Sequence, residues 1–299
     1  MIAVLGSVNL DIVVPVDRHP SPGETVLGGD RADLPGGKGA NQAVAAARLG
    51  RAVGFVGRVG ADAAGRMLRA ALEDAGVDLR HLREDAEAPS GVALIAVAPS
   101  GENTIIVSPG ANARVGPDDV EAARELLAGA AVTLLQLEVP EEAIAAAVRA
   151  SGGTVVLNPA PARAVDPRVL ADVDVLVPNR LELGLLAAAP APRDAGQAVG
   201  LARTVRGRGS VVVTLGADGA VVVEPDRVER VPAPEMEAMD TTGAGDAFCG
   251  ALADALARGA ALVEAARWAV AAAALSVTMP GAQGGLPTAQ QVRSLVTST

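Results

Sequence analysis

The chain has 299 residues, half of them apolar, enough for one large α/β domain with a sizeable core. A net charge of −10 with no basic block argues against a nucleic-acid surface, and two Phe, one Trp and no Tyr leave no platform for stacking bases. No run approaches the roughly 20 apolar residues that span a bilayer. The lone cysteine, Cys249, allows no internal disulfide and suits a reducing cytoplasm.

The first residues, Met1-Ile-Ala-Val-Leu-Gly6, lack the basic start of a signal peptide and read as a buried strand, Ile2–Leu5. Gly6 to Asp11 reads as a polar loop. From 12 to 35, prolines and glycines punctuate short β-prone pieces standing off the main body. A helix is expected from Gly39 to Leu49 with Gly50 as its C′ residue, then a strand at 55–59 and a helix at 64–75. A second β-rich island follows, Gly91–Val97 and 103–107, joined by a hairpin loop.

Beyond Gly116 strands and helices alternate. Helices are expected at 117–127, 141–150 and 193–206, and strands at 132–136, 154–157, 173–178 and 210–214. A hairpin, 220–223 with 228–231, and helices at 247–258 and 262–275 complete the pattern. Such alternation predicts a three-layer α/β/α core with a mainly parallel central sheet. The two islands, 12–35 and 91–108, interrupt it and together predict a small β-sheet lid on a single 1–299 domain.

The most informative stretch is Asp240-Thr-Thr-Gly-Ala-Gly-Asp246. A glycine turn opening a helix presents unpaired N–H groups at the positive end of the helix dipole, which is an anion site. A carboxylate there would repel the anion unless Asp246 takes a proton from an alcohol that attacks a phosphate. An N-cap role alone also accounts for an isolated aspartate after glycine. Lys38, the only lysine in the chain, lies in Gly36-Gly-Lys-Gly-Ala-Asn41, where a compact ammonium fits beside a phosphate or sugar oxygen.

Ligands of open α/β sheets bind beyond the carboxyl ends of the strands. Those ends here carry Asn9, Asp11, Gln136, Glu138, Asn158, Asn179, Glu182 and Thr214 to Gly219. P-loop spacing is missing around Lys38, and Gly6 stands alone after the first strand. Both absences count against a P-loop NTPase and a nicotinamide dehydrogenase.

Gly36-Gly-Lys-Gly-Ala-Asn-Gln-Ala-Val-Ala-Ala-Ala-Arg-Leu-Gly50 and Asp240-Thr-Thr-Gly-Ala-Gly-Asp-Ala-Phe248 resemble the two signatures of the ribokinase-like (phosphofructokinase-B) sugar kinases. The resemblance covers nearly the whole chain. Asn9-x-Asp11, Gln136-Leu-Glu138, Asn158-Pro-Ala-Pro-Ala162 and Pro178-Asn179 are most similar to the members that phosphorylate ribose.

The resemblance implies a fold, an activity and site residues. The activity would be transfer of phosphate from ATP to the 5-hydroxyl of D-ribose. Asn9, Asp11, Gly37, Lys38, Asn41 and Glu138 would hold the sugar. Asn179 and Glu182 would order Mg²⁺ and phosphate through water, and Thr214, Leu215, Gly216, Ala217, Asp218 and Gly219 would line the nucleotide site. Gly243, Ala244 and Gly245 would form the anion hole and Asp246 the base. A monovalent cation such as K⁺ would sit on Asp240, Thr242, Ser276, Met279, Gly281 and Gly285.

Three positions depart from the family pattern: Arg180, Val270 beside the expected adenine, and Gly284-Gly285 in the cation loop. Exposed lid edges, with the family habit, imply a homodimer. Alternative readings are a kinase of deoxyribose, fructose or adenosine on the same fold, and a non-catalytic sugar-binding protein on the kinase scaffold. The lid islands carry none of the aromatic residues that a nucleoside would want.

Overall fold

The computed structural model describes residues 1–298. In chain order the elements are β1 (Ile2–Leu5), β2 (Asn9–Pro15), β3 (Ala32–Gly36), α1 (Lys38–Arg48), β4 (Val53–Gly60), α2 (Ala63–Asp74), β5 (Asp78–Asp85), β6 (Gly91–Val97) and β7 (Asn103–Ser108). There follow α3 (Pro117–Ala122), α4 (Arg124–Gly129), β8 (Val132–Leu135), α5 (Glu141–Ala150), β9 (Thr154–Leu157), α6 (Pro167–Ala171), β10 (Val175–Leu176), α7 (Arg180–Leu186), α8 (Ala195–Val205) and β11 (Ser210–Thr214). The last are β12 (Ala220–Val223), β13 (Val228–Val231), α9 (Ala244–Ala257), α10 (Leu262–Ser276) and α11 (Ala289–Ser298).

Nine strands form the main sheet in the order β13-β12-β11-β10-β9-β8-β1-β4-β5. The pairs from β11 through to β5 are parallel, and β12 and β13 close one edge antiparallel. Side chains of β1 alternate between two cores. Ile2 and Val4 pack with residues of α1, α2, α9, α10 and α11, whereas Ala3 and Leu5 pack with residues of α3 to α8. A strand buried on both faces needs an unbroken apolar run, which Ile-Ala-Val-Leu supplies. The chain leaves β1 toward β4 on one side and returns as β8 on the other, so the crevice beyond β1 and β8 is a topological switch point.

A second sheet, in the order β3-β2-β6-β7, rises over that crevice. It joins the two β-rich islands as expected, through parallel pairing of β2 with β6 and antiparallel pairing at both edges. Its inner end differs from the sequence reading. Asn9 and Asp11 belong to β2 rather than to a loop, so the lid begins at the site itself. Of the β-prone pieces between 12 and 35, the stretch at 25–27 is irregular, with only an isolated bridge between Val16 and Gly28 beside it.

Other differences are local. The 117–127 helix is interrupted at Ala123, whose N–H is shared between the carbonyls of Asp119 and Val120. The 173–178 strand pairs only at Val175–Leu176. β5 escaped the sequence reading because this edge strand, Asp-Leu-Arg-His-Leu-Arg-Glu-Asp, carries charge instead of an apolar alternation.

Close approach of α1 to α9 is what joins the two signature segments. A side chain at Gly250 would start 2.6 Å from Ala45 Cβ and 2.7 Å from the Gln42 carbonyl oxygen, both rigid. Gly250→Ala is therefore expected to destabilise the fold by about 1–3 kcal/mol, measured by denaturant unfolding. It should also lower turnover, because α1 carries the residues that hold Asp246.

Candidate active site

The helix α9 begins at Ala244, two residues before Asp246, with Gly243 as N-cap in the left-handed region (φ 76°). Asp246 is therefore not an N-cap, and its side chain does not serve its own helix. It is buried, and its carboxylate reaches across to α1. Oδ2 accepts from Asn41 Nδ2 at 3.0 Å, and Oδ1 accepts from Gln42 Nε2 at 2.9 Å. Burial pushes the Asp246 carboxyl up, opposed by the nearby Lys38 ammonium and by these two amides.

Around it stand the other residues expected to hold a sugar. Gly37 is the N-cap of α1 at φ 89°, and a side chain there would run into the backbone of Asn9, Val8 and Ser7. Glu138 Oε2 accepts from the Ser7 hydroxyl at 2.5 Å and from the Lys38 amide at 3.1 Å. Asn9 is buried with its oxygen accepting from Asn112 Nδ2 at 2.8 Å, which leaves its own amide nitrogen to face a ligand. Asn41 is fixed from both ends, its oxygen accepting from Gln283 Nε2 at 3.0 Å while its nitrogen donates to Asp246.

Asp11 lies against Gly36, where a side chain would overlap the carboxylate. Burial, Glu138 and Asp246 push the Asp11 carboxyl up to about 7, with Lys38 pulling the other way. Burial lowers the Lys38 ammonium, but Asp246, Glu138 and Glu182 outweigh it and the net shift is upward. Cys249 is buried with its thiol pushed well up, first by burial and then by Asp246, which fits packing and not nucleophilic chemistry.

On the other side of the α9 N-terminus opens a cavity of about 740 Å³. Ala244 and Gly245 form its inner wall, together with Asn179, Thr214, Leu215, Gly216, Ala217 and Gly219. Asp218 does not line that wall, but its carboxylate pairs at 2.6 Å with Arg180, which does. Val270, Ala273, Ala274 and Val277 line the apolar end. The Ala244 amide donates to the Thr241 carbonyl at 3.2 Å.

Sequence reasoning missed the strip from Ala233 to Ala238 that closes the cavity, since an irregular segment of mixed polarity carries no periodic signal. It missed Gln42, Asn112 and Gln283 as well. Short polar residues mark no periodicity, and their value lies in which partners the fold brings to them.

Asn179 caps α7, and Glu182 returns the favour. Both carboxylate oxygens of Glu182 accept from Asn179, one from the main-chain N–H and one from the side-chain amide, each at 2.8 Å. The capping box was present in Asn-Arg-Leu-Glu and would have announced α7. Asp240 ties two loops together, accepting from Thr242 N–H at 2.9 Å and Gly281 N–H at 2.8 Å. The carbonyl oxygens of Ser276 and Met279 crowd 2.1 and 3.3 Å from where a Gly285 side chain would begin, so glycine is required there by close approach. Met279 and Thr242 have exposed side chains, and the Ser276 hydroxyl donates to the Ala273 carbonyl.

Residues 1–289 match the family model described as pfkB family carbohydrate kinase. The chain belongs to the pfkB family of carbohydrate kinases.

Among curated relatives, a Haemophilus influenzae ribokinase is 38% identical over 295 residues, covering 97% of this chain and 96% of the relative. A deoxyribokinase of Salmonella typhi is 36% identical with the same coverage. Among solved structures, an Arabidopsis thaliana ribokinase complexed with ribose and ATP superposes with a TM-score of 0.90 at 34% identity, covering 99% of this chain and 98% of that one. The α/β architecture with its small lid sheet is thus the architecture of the family. Among the described residues no helix is long and apolar enough to cross a membrane.

Proposed function

We propose that this carbohydrate kinase transfers the γ-phosphoryl group of ATP to the 5-hydroxyl of D-ribose, as its similarity to ribokinases suggests. The observation that carries the reading is the place of Asp246. It stands at the helix N-terminus that divides a lidded polar crevice from a cavity of nucleotide size, and its carboxylate is held by side chains of α1 instead of capping its own helix.

In the reaction the sugar O–H bond breaks and its proton passes to the Asp246 carboxylate. The oxygen electron pair bonds to phosphorus, and ADP leaves with the electrons of the broken P–O bond. The amides of Gly243 and Gly245 receive charge on the transferring group. Asn9, Asp11, Gly37, Lys38, Asn41 and Glu138 hold the sugar, and Thr214, Leu215, Gly216, Ala217 and Gly219 hold the nucleotide.

Mg²⁺ fits this site as an ion held chiefly by phosphate oxygens. Both Glu182 oxygens are already accepting from Asn179, which suits ordering of a coordinated water better than direct ligation. Among the described residues no cluster of His, Cys, Asp and Glu could hold a metal by itself. The ion would neutralise charge on the triphosphate. A monovalent cation such as K⁺ would be held by oxygens of the loop that Asp240 anchors through the Gly281 N–H.

A homodimer through the lid is our reading of its apolar row. Ile12, Leu94 and Ile106 stand side by side on the face opposite Asp11, and Leu94 and Ile106 are 48% and 63% exposed. A reducing, ATP-supplied cytoplasm suits the lone buried thiol.

Side-by-side kcat/KM for ribose, deoxyribose, fructose and adenosine tests the substrate. Ribose is expected to lead, because a buried polar group left without its hydroxyl costs about 1–3 kcal/mol. Deoxyribose in the lead would transfer the assignment to the activity named for the Salmonella relative.

The Asp11 carboxyl gives a second prediction. With its value near 7 in the empty enzyme, it is largely protonated at pH 6 and ionised at pH 8. A sugar hydroxyl donating to the carboxylate favours the ionised form. Sugar binding should therefore tighten as pH rises from 6 to 8 and release a proton, read by calorimetry in buffers of different ionisation enthalpy. The same raised value makes the sugar-free protein lose stability as pH climbs through 7, because the folded state holds that proton more tightly than the unfolded one. Asp11→Asn should abolish both effects.

A further inference from the structure

Behind Asp246 runs a file of three buried amides that the phosphoryl-transfer reading does not use. Gln42 lies on α1, Gln136 follows β8 and Asn158 follows β9. Both glutamines are fully buried and Asn158 nearly so. Gln136 Nε2 donates to Gln42 Oε1 at 2.6 Å. Gln42 Nε2 then donates to Asn158 Oδ1 at 3.1 Å and to Asp246 Oδ1 at 2.9 Å, and Asn158 Nδ2 donates to the Val177 carbonyl at 2.9 Å.

The polarity of this file has one solution. A main-chain carbonyl can only accept, so Asn158 must turn its nitrogen to Val177 and its oxygen to Gln42. Gln42 must then present nitrogen to both Asn158 and Asp246, and oxygen to Gln136. Gln136 must donate in turn. Its own oxygen is left without a partner, lying against Gly6. An orphaned buried acceptor is costly, and the gain it permits is a fixed donor end on Gln42.

We infer that Gln42 is a positioning residue, locked in one orientation by Asn158 and Gln136, that holds Oδ1 of Asp246 so that Oδ2 faces the sugar and takes the proton. This inference rests on Asp246 as the base. A role confined to pinning α1 onto the strand ends would appear in stability alone. A donor aimed at the base favours its ionised form as well. The other charged or titratable groups facing Asp246 are Lys38 and Cys249 on its two helices, Asp11 on β2, and Glu138 and Glu182 on the loops and helix opposite. None of them is altered by the substitutions below.

The test compares Gln42→Leu and Gln136→Met with the parent and with Asp246→Asn, in kcat and KM against pH with ribose and ATP. Gln42→Leu is expected to move the acid limb of kcat to higher pH. At pH 6 it should lower kcat roughly tenfold, the order of one hydrogen bond to a charged group, with KM for ribose changed less than about twofold. Gln136→Met frees the Gln42 amide to turn and should shift the limb in the same direction by less. It also serves as the readout if Gln42→Leu does not fold. An unmoved acid limb with a lowered melting temperature in either folded variant overturns the inference while leaving the base intact, provided Asp246→Asn is inactive. Near-normal turnover in Asp246→Asn removes the base, and the positioning role falls with it.

Discussion

Asp246→Asn is expected to lower kcat by at least about a hundredfold while sugar binding stays within a few-fold of the parent. General-base catalysis supplies about 10²–10⁴ in rate, equivalent to roughly 3–5 kcal/mol of barrier. The substitution removes the proposed proton acceptor but keeps the volume of the side chain. Binding is expected to survive because, in the proposed reading, Asn9, Lys38, Asn41 and Glu138 also grip the sugar.

Asn cannot reproduce the local hydrogen bonding, since Asn41 and Gln42 both donate to this carboxylate and an amide offers only one oxygen. That mismatch costs some stability. It is offset in part because a buried carboxyl whose proton affinity is raised by folding loses stability as pH rises through its folded value, and Asn does not titrate. Steady-state kinetics with calorimetric measurement of ribose affinity separates the terms. A variant with intact turnover would show that the proton goes elsewhere.

Gly37→Ala carries the second largest effect, and its cause lies in the backbone. Gly37 ends the turn between β3 and α1 at φ 89°, ψ 132°, a region that L side chains rarely enter. The strain is about 1–3 kcal/mol. An added Cβ would also meet Asn9 N at 2.7 Å and Val8 Cα at 2.9 Å, neither of which can yield without moving β2. Overpacking adds about 1–3 kcal/mol.

These displacements reach the crevice directly, because Lys38 and Asn41 follow on α1 and Asn9 and Asp11 lie on β2. The variant should unfold at least about 4 °C below the parent. It should also lose sugar affinity much more than nucleotide affinity, since the nucleotide cavity has no wall from this turn. Equal losses for both substrates would mean the turn supports the whole fold and not the sugar crevice.

The parts legible from sequence were those with a repeating or punctuated signal. Alternating apolar strands and 3.6-period helices announced the three layers, and the two glycine-rich signatures announced the segments that meet at Asp246. The lid was legible from its punctuation, although Asn9 and Asp11 were read as loop. Their polar side chains alternate with Leu10, and an alternating strand in which the polar face lines a ligand looks like a loop from sequence alone.

What stayed hidden depends on three-dimensional partners. That Asp246 sits inside the first turn of α9, and not before it, follows from Gly243 taking the left-handed conformation. Gln42 lay within a recognised signature, yet its importance comes from Gln136 and Asn158, about 94 and 116 residues away. The pairing of Arg180 with Asp218, 38 residues apart, is likewise something no local pattern could have flagged.

A crystal structure of the enzyme with ribose and a non-hydrolysable ATP analogue tests the central claim most directly. It should show Oδ2 of Asp246 within hydrogen-bonding distance of the 5-hydroxyl, with the γ-phosphate against the amides of Gly243 and Gly245. A carboxylate turned from the sugar, or a triphosphate lodged outside the cavity bordered by Gly245, would contradict it.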